Sequence, residues 1–573
     1  MNSRLCFLFI LCCLSSVNLT FGANYYVNSN IGSDAYNGLS EQKPWKSLTN
    51  INNKIFSAGD KILFAAGTTY EGQLKPRGLG TEALPIKIDR YGEGVKPAIH
   101  GKGLFESTLL LYNVRYWEVR NLEITNLGEN SKASRRGVIV RAQNFGDCNH
   151  IILEGLEIHN VNGVLVKADG GGSGIYFHII NNNVKTRFVN LQVLNNYIHH
   201  CERNAINFGG NSSRTNWNPS IGVVIRGNLI ENVPGDGIVP IGCDGALIEY
   251  NVIRKGIDSL PTGDAAAGIW PWSSDNTLIQ YNEVSDHRAK WDGQAYDADF
   301  NCIGSVFQYN LSFNNWGGFM LICNNGSTLG THMNIGTKNT IVKYNLSIND
   351  GLRPYKAQNN RYFSPVFHIT GPVENTNIEN NIIIIPKKPV DQIEKVLLEF
   401  GNWGEKYPNL TSFKKNIVRY QTVFTNNNIS NTTGYTEGEN DSKNVFDFTN
   451  TDPLFVLNQL TNHSLVKNDA NYTNLYHFIK NRNNVNTAVQ DIQEHKFSVY
   501  PNPFNNSISI NNASELKSIS FINLFGQVVL SDEIIDNNNN ILFQIDTSSL
   551  DKGAYLLRLL GKGEYDAEKL IKN

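Results

Sequence analysis

Five short segments in the middle of the chain align on a shared asparagine. They are VIRGNLI at Asn228, LIEYNVI at Asn251, LIQYNEV at Asn282, VFQYNLS at Asn310 and IVKYNLS at Asn345. The successive intervals are 23, 31, 28 and 35 residues, and weaker copies centre on Asn121, Asn196 and Asn381. Repetition at about 20–35 residues, one strand–turn unit per copy, indicates a solenoid whose coils bury their apolar faces against one another.

The side-chain pattern selects the kind of solenoid. Three residues before each asparagine stands Ile225, Ile248, Ile279, Phe307 or Val342; next comes Arg226, Glu249, Gln280, Gln308 or Lys343; then Gly227 or a tyrosine. This alternation is that of strands with one buried and one wet face. The asparagine falls at the turn, where its amide can bond its counterpart one rung on. The expected fold is all-β, a right-handed parallel β-helix.

A second column of strands runs Ala205–Gly209, Gly237–Ile241, Gly268–Trp272, Ala295–Asp299 and Gly318–Ile322. In this register Ile206, Ile238, Ile269, Tyr296 and Phe319 point inward. Asn207, Trp270, Trp272, Asp297 and Asp299 point outward. A slip of one residue would exchange the faces.

Both ends carry further signals. From Tyr25 the chain reads YYVNSNIGSDAYNGLSEQKPWKSL and then FSAGDKILFAAGTTYEGQL. This resembles the first coil of secreted β-helix enzymes that act on polysaccharides, hydrolases and lyases alike. The C-terminal stretch holds Tyr500-Pro501-Asn502-Pro503, Phe525-Gly526-Gln527, Leu550 to Tyr555 and Lys569 to Lys572. It resembles the C-terminal sorting domain of the Bacteroidetes type IX secretion system, which implies that machinery as a partner and a small β-sandwich as a fold. Arg4 followed by apolar Leu5 to Leu14 reads as a signal peptide ending near Gly22, too short to span a bilayer as a mature helix. The expected domains are 1–22 signal peptide, 24–425 catalytic β-helix, 426–496 Asn-rich end cap and linker with a short helix near Asn471 to Ile479, and 497–573 sorting domain. No later segment has transmembrane length.

A formal net charge of −2 gives no reason to expect nucleic acid or an anionic membrane as partner. Cys148, Cys201, Cys243, Cys302 and Cys323 are scattered singly, which suits small core residues better than a disulfide framework or a zinc site.

The chemistry concentrates in His287 to Asp299, HRAKWDGQAYDAD. Asp297 and Asp299 stand two apart on a strand and share a face, with Cα atoms about 6.5–7 Å apart. Such a pair can act as general acid and base in glycoside hydrolysis, with the spacing tilting toward inversion. Asp292 is a third site carboxylate or a turn residue, and Asp264 lies in a loop over the same face. Trp270 and Trp272, one rung away, are expected to stack on sugar. Asn207, His287, Arg288 and Lys290 complete the candidate substrate-binding set, the last three suiting an acidic or sulfated sugar. Asp236 and Asp244, each beside glycine, read as turn residues.

The leading expectation is a secreted glycoside hydrolase acting on an acidic or sulfated polysaccharide, with no metal or other cofactor. One alternative is a polysaccharide lyase, recasting Lys290 or Arg288 as base, with Ca²⁺ as a possible cofactor. A non-catalytic glycan-binding protein would not need the clustered carboxylates.

Overall fold

The computed structural model describes residues 22–328, 333–351, 353–356, 360–385, 397–420, 433–444, 450–482, 498–500, 504–511, 518–523, 528–533, 542–560 and 565–572. The expected signal peptide through residue 21, the linker 483–497 and the motif residues Pro501 to Pro503 and Phe525 to Gln527 lie outside these residues.

The repeats wind into a parallel β-helix with three sheets. A 17-stranded sheet opens with Asn24–Val27 and includes the strands that precede each aligned asparagine; a 13-stranded sheet holds the strands that follow it. The third face has five strands, from Ser107–Tyr112 to Ile238–Val239, and four more, from Gln294–Ala298 to Leu398–Gly401. Single bridges, Ile238 with Ile269 and Ile269 with Tyr296, join the two blocks. Ile225, Ile248, Ile279, Phe307 and Val342 stack in register and are fully buried, as the repeat requires. Removing these side chains from water is the main stabilising term of each coil.

The asparagines form a continuous ladder. Nδ2 of Asn196, Asn228, Asn251, Asn282, Asn310, Asn345 and Asn381 each donates to Oδ1 of the next across 2.8–3.1 Å, and Asn416 continues the series to Asn440 at 3.3 Å. Each backbone N–H in that series makes the same step, so every buried amide is satisfied. The residue before each asparagine takes a left-handed turn, with φ of 53–56° at Tyr250, Tyr281, Tyr309 and Tyr344. That conformation is costly for a side-chain-bearing residue. Here the rings stack at 5.0, 5.0 and 5.9 Å.

Coiling continues past the expected end at residue 425. Thr436–Glu437 and Asp441–Asn444 pair with Asn409–Lys414 and Ile417–Tyr420. The chain then turns back as helices Pro453–Leu460 and Ala470–Asn481. The second helix covers the tyrosine stack: Phe478 meets the edges of Tyr250 and Tyr281, and Tyr309 Oη donates to Asn471 Oδ1 at 2.7 Å. Within the segment read as end cap and linker, the described residues thus form a last coil and a packed strap, with a helix at Ala470–Asn481 where a short one is expected.

The inferred second column holds from Asn204–Gly209 to Tyr296 and then slips by one. Tyr296 stands opposite Met320, not Phe319. Gly317 and Gly318 carry no side chain to mark the pleat, and a Cβ at Gly317 would lie 1.7 Å from the Asp292 carbonyl oxygen. The true register aligns Leu321 with Asp297 and brings Cys323 beside Asp299.

The sorting region forms two antiparallel sheets with their own core, including Phe504, Ile508, Phe521, Tyr555 and Leu557. Lys572 Nζ is tied to the carbonyls of Thr547, Ser548 and Leu550.

Candidate active site

The site lies on the outer side of the third face, where it narrows to single bridges. Asp297 is carried by the strand Gln294–Ala298, and Asp299 follows it; their backbone N–H groups bond the carbonyls of Ile269 and Pro271. This supports the expected rung of Trp270 beside Asp297 and Trp272 beside Asp299. Asp292 sits on the short strand Trp291–Asp292, paired with Ala265–Ala266, in a left-handed conformation with φ 58°. Arg353, itself buried, clamps this turn by donating to the carbonyls of Ala289, Lys290 and Asp292. A strained non-glycine backbone held from outside is frequent at functional sites.

The three carboxylates sit in one electrostatic field but differ in surroundings. Asp297 is only 5% exposed, and burial, then the charges of Asp299 and Asp292, push its carboxyl well above the usual range. Burial and then Asp299 raise Asp292 to about 6, against the opposing pull of Lys167 and Arg353. Burial also raises Asp299, but the Cys323 thiol and the Phe300 N–H both donate to its Oδ1, at 3.1 and 2.6 Å, and favour its ionised form. Asp292 and Asp299 are partly open to solvent.

The cationic side of the site comes from earlier coils. Lys167 Nζ lies 3.6 Å from Asp236 Oδ2 and 4.9 Å above the Trp270 ring centroid. Asp236 also accepts from Trp270 Nε1 and the Ala267 N–H. Burial alone would raise the Asp236 pKa, but Lys167, Arg203 and these donors hold it below the ordinary value. Arg203, fully buried, bonds Asp264 at 2.8 Å, and Asp264 in turn accepts from the Lys167 N–H. Asp264 is therefore an anchor of the Lys167–Arg203 side. The turn reading of Asp236 missed this role, and nothing in the local sequence marks Lys167, Arg203, Arg353 or Cys323.

The other expected residues separate. Asn207 faces outward into an adjoining cleft, its Oδ1 buried with no hydrogen-bond partner among the described residues. The Trp270 ring has Lys167 over it, and Trp272 stacks on Phe300 at 5.8 Å. His287 is buried beneath the loop, where Nε2 meets the Gly235 carbonyl at 3.0 Å and burial lowers its pKa to about 4. Arg288 is occupied by Asp286 and the Asn314 carbonyl, and Lys290 pairs with Asp258 at 3.3 Å. The structure does not bring these three together with the carboxylates.

Asp297, Asp299 and Cys323 place two carboxylate oxygens and a thiol within 4.8 Å of one another. That set does not suit Ca²⁺, which takes six to eight oxygens. Carboxylate oxygens this close also fall short of the roughly 6.5–9.5 Å between an inverting pair, so Asp297 and Asp299 do not carry the expected tilt to inversion.

A parallel β-helix bearing a carboxylate cluster on an outer face belongs to the architecture of polysaccharide-active enzymes. The comparisons with known proteins are more particular. The lacto-N-biosidase of Bifidobacterium longum subsp. longum is 29% identical over 425 residues, covering 57% of this chain and 26% of that protein. The chain thus spans about a quarter of that relative's length. The native GH136 lacto-N-biosidase of Eubacterium ramulus superposes with a TM-score of 0.56 at 25% identity, over 74% of this chain and 68% of that one. Its selenomethionine derivative gives 0.55. Residues 498–573 match the secretion system C-terminal sorting domain, which directs the protein through type IX secretion to the cell surface or outside. Among the described residues no helix is long and apolar enough to cross a membrane.

Proposed function

We propose that this chain is a secreted glycoside hydrolase of the lacto-N-biosidase kind, with Asp292 as general acid and Asp299 as its ionised partner. The observation that carries this is the difference in surroundings between two carboxyls that burial raises alike within one field. Asp292 is raised to about 6, near the operating range of a proton donor, while Asp299 has two hydrogen-bond donors that favour its charged form. Asp292 protonates the glycosidic oxygen as the bond breaks. The Asp299 carboxylate attacks or shields the positive charge that develops at the anomeric carbon, or activates the water that captures it. Asp297, nearly sealed from solvent and held neutral, lies beneath Asp299 as a proton-bearing neighbour rather than the donor to substrate. Lys167, fixed by Asp236, opposes the accumulated negative charge.

An acidic or sulfated glycan suits the cationic side chains of the adjoining cleft, and the lacto-N-biosidase relatives favour hydrolysis over elimination. The test is to incubate the mature chain with lacto-N-biose-capped oligosaccharides and with uronate-containing polysaccharides. New reducing ends without a rise in absorbance near 235 nm support the hydrolase. A rise at 235 nm restored by Ca²⁺ after chelation would replace it with a lyase.

A further inference from the structure

Beside the carboxylates a cleft of about 330 Å³ opens on the outer third face, lined by Arg136, Arg141, Lys167, Tyr176, His178 and Asn207 among others. Tyr176, Asn207 and Val239 stand in register, and the same outer column continues through Trp270 to Asp297. Asn207 is three rungs, about 14 Å, from Asp297 at the usual strand spacing. That is a reach of a few sugar units, and Lys167 belongs to both places.

The charges of this cleft do not balance internally. Arg141 is held by Glu106 in a forked contact, at 2.6 and 3.2 Å. Lys167 and Arg203 are matched by Asp236 and Asp264. Arg136 is left over. It is 7% exposed and makes no ion pair among the described residues; its Nη1 bonds only the Arg135 carbonyl, and its Nε has no partner. Its guanidinium lies 5.0 Å from the Tyr176 ring centroid, and burial lowers its pKa to about 10. The acidic side chain that acts on it, Glu106, also lines the cleft and is already forked to Arg141, and a buried cation with no carboxylate in direct contact is costly. The neighbouring groups suit a sugar: Tyr176 and His178 stack at 5.1 Å, and the Asn207 Oδ1 is an unused acceptor.

We infer that this cleft is a subsite for an anionic substituent of the glycan, a carboxylate or a sulfate ester, which completes the pairing of Arg136. The site as such stands on the cleft; its assignment to a substrate subsite rests on the hydrolase reading. Guanidinium matches either oxyanion in a bidentate fork, while Asn207 would take a sugar hydroxyl.

The experiment is calorimetric titration of the mature chain with galactose, galactose 6-sulfate, glucuronic acid and inorganic sulfate. The sulfated or the carboxylated sugar is expected to bind roughly tenfold or more tightly than galactose, and Arg136→Gln to erase that preference. Which of the two sugars gains identifies the substituent. Arg136→Lys keeps the charge and loses the fork, and is expected to keep part of the preference, which covers the case of a Gln variant that does not fold. Equal affinity for neutral and anionic sugars, or a preference that survives Arg136→Gln, would overturn the proposal. Inorganic sulfate binding as tightly as the sulfated sugar would also overturn it, by showing a free-anion site. Binding needs no turnover, so an inactive hydrolase and an absent anionic subsite give different results.

Discussion

The Cys323 thiol donates to the Asp299 carboxylate across 3.1 Å, and the same sulfur lies 3.9 Å from Asp297. It is one of two donors that offset burial at Asp299. Cys323→Ala removes this donor, so the Asp299 pKa is expected to rise further and the acid limb of kcat/KM to move to higher pH, with a loss of several-fold in rate at acidic pH. Cys323→Ser keeps a donor and is expected to stay near the parent. An unmoved acid limb in the alanine variant would reduce Cys323 to packing.

The basic limb reports Asp292. Its pKa is raised to about 6, so the proton that the leaving group needs is present below that value and lost above it. Activity is expected to fall tenfold per pH unit well above 6. The same shift has a stability consequence. A carboxyl whose folded pKa exceeds its unfolded value stabilises the fold fully below the unfolded value, and that contribution is lost as pH rises through about 6. Initial rates from pH 4 to 8 on an aryl glycoside of lacto-N-biose would check the limb. Flat activity through pH 8 would remove Asp292 as the acid.

Asn282 sits in the middle of the amide ladder, accepting from Asn251 and donating to Asn310. Asn282→Ala leaves the Asn251 N–H without its acceptor, takes one of three acceptors from Asn251 Nδ2 and one of two donors from the Asn310 Oδ1, all in a dry interior. Each stranded buried group costs about 1–3 kcal/mol, so a total near 2–4 kcal/mol and a clear drop in Tm are expected. A melting curve equal to the parent would show that water replaces the missing amide.

The ladder was legible in the sequence because stacking forces the same residue into the same place in every coil. The isoleucine column and the outward direction of Asp297 and Asp299 follow from the same period. The site's other half was not legible, because Lys167 and Arg203 come from coils far earlier in the chain, and only winding brings them beside Asp236. Cys323 was hidden by the slip at Gly317 and Gly318, which set Met320 rather than Phe319 opposite Tyr296. His287 looked like a ligand for acidic sugars on composition alone; its burial against Gly235 depends on how the 286–293 loop folds under, which no local pattern encodes.

Export depends on residues 498–573. Their sheets close on Lys572, whose ammonium ties the last strand to Thr547, Ser548 and Leu550. Deleting 498–573 is expected to leave a folded β-helix in the periplasm, seen by fractionation and immunoblotting. Secretion of the truncated chain at the parent level would show that another segment carries the address.

The three carboxylates separate in one comparison. Asp292→Asn removes the proton donor and Asp299→Asn the charged partner, and each is expected to lower kcat by roughly 10²–10⁴-fold. Asp297 is different, since its carboxyl is already held neutral by burial and by its two neighbours. Asparagine copies that neutral shape, so Asp297→Asn is expected to cost far less, within about tenfold. Were Asp297 ionised part of the time, its loss would also relieve repulsion on Asp299 and move the acid limb to lower pH. Far-ultraviolet circular dichroism of the three variants should match the parent. A collapse of activity in Asp297→Asn, with Asp292→Asn near normal, would restore Asp297 and Asp299 as the working pair and displace Asp292 from the chemistry.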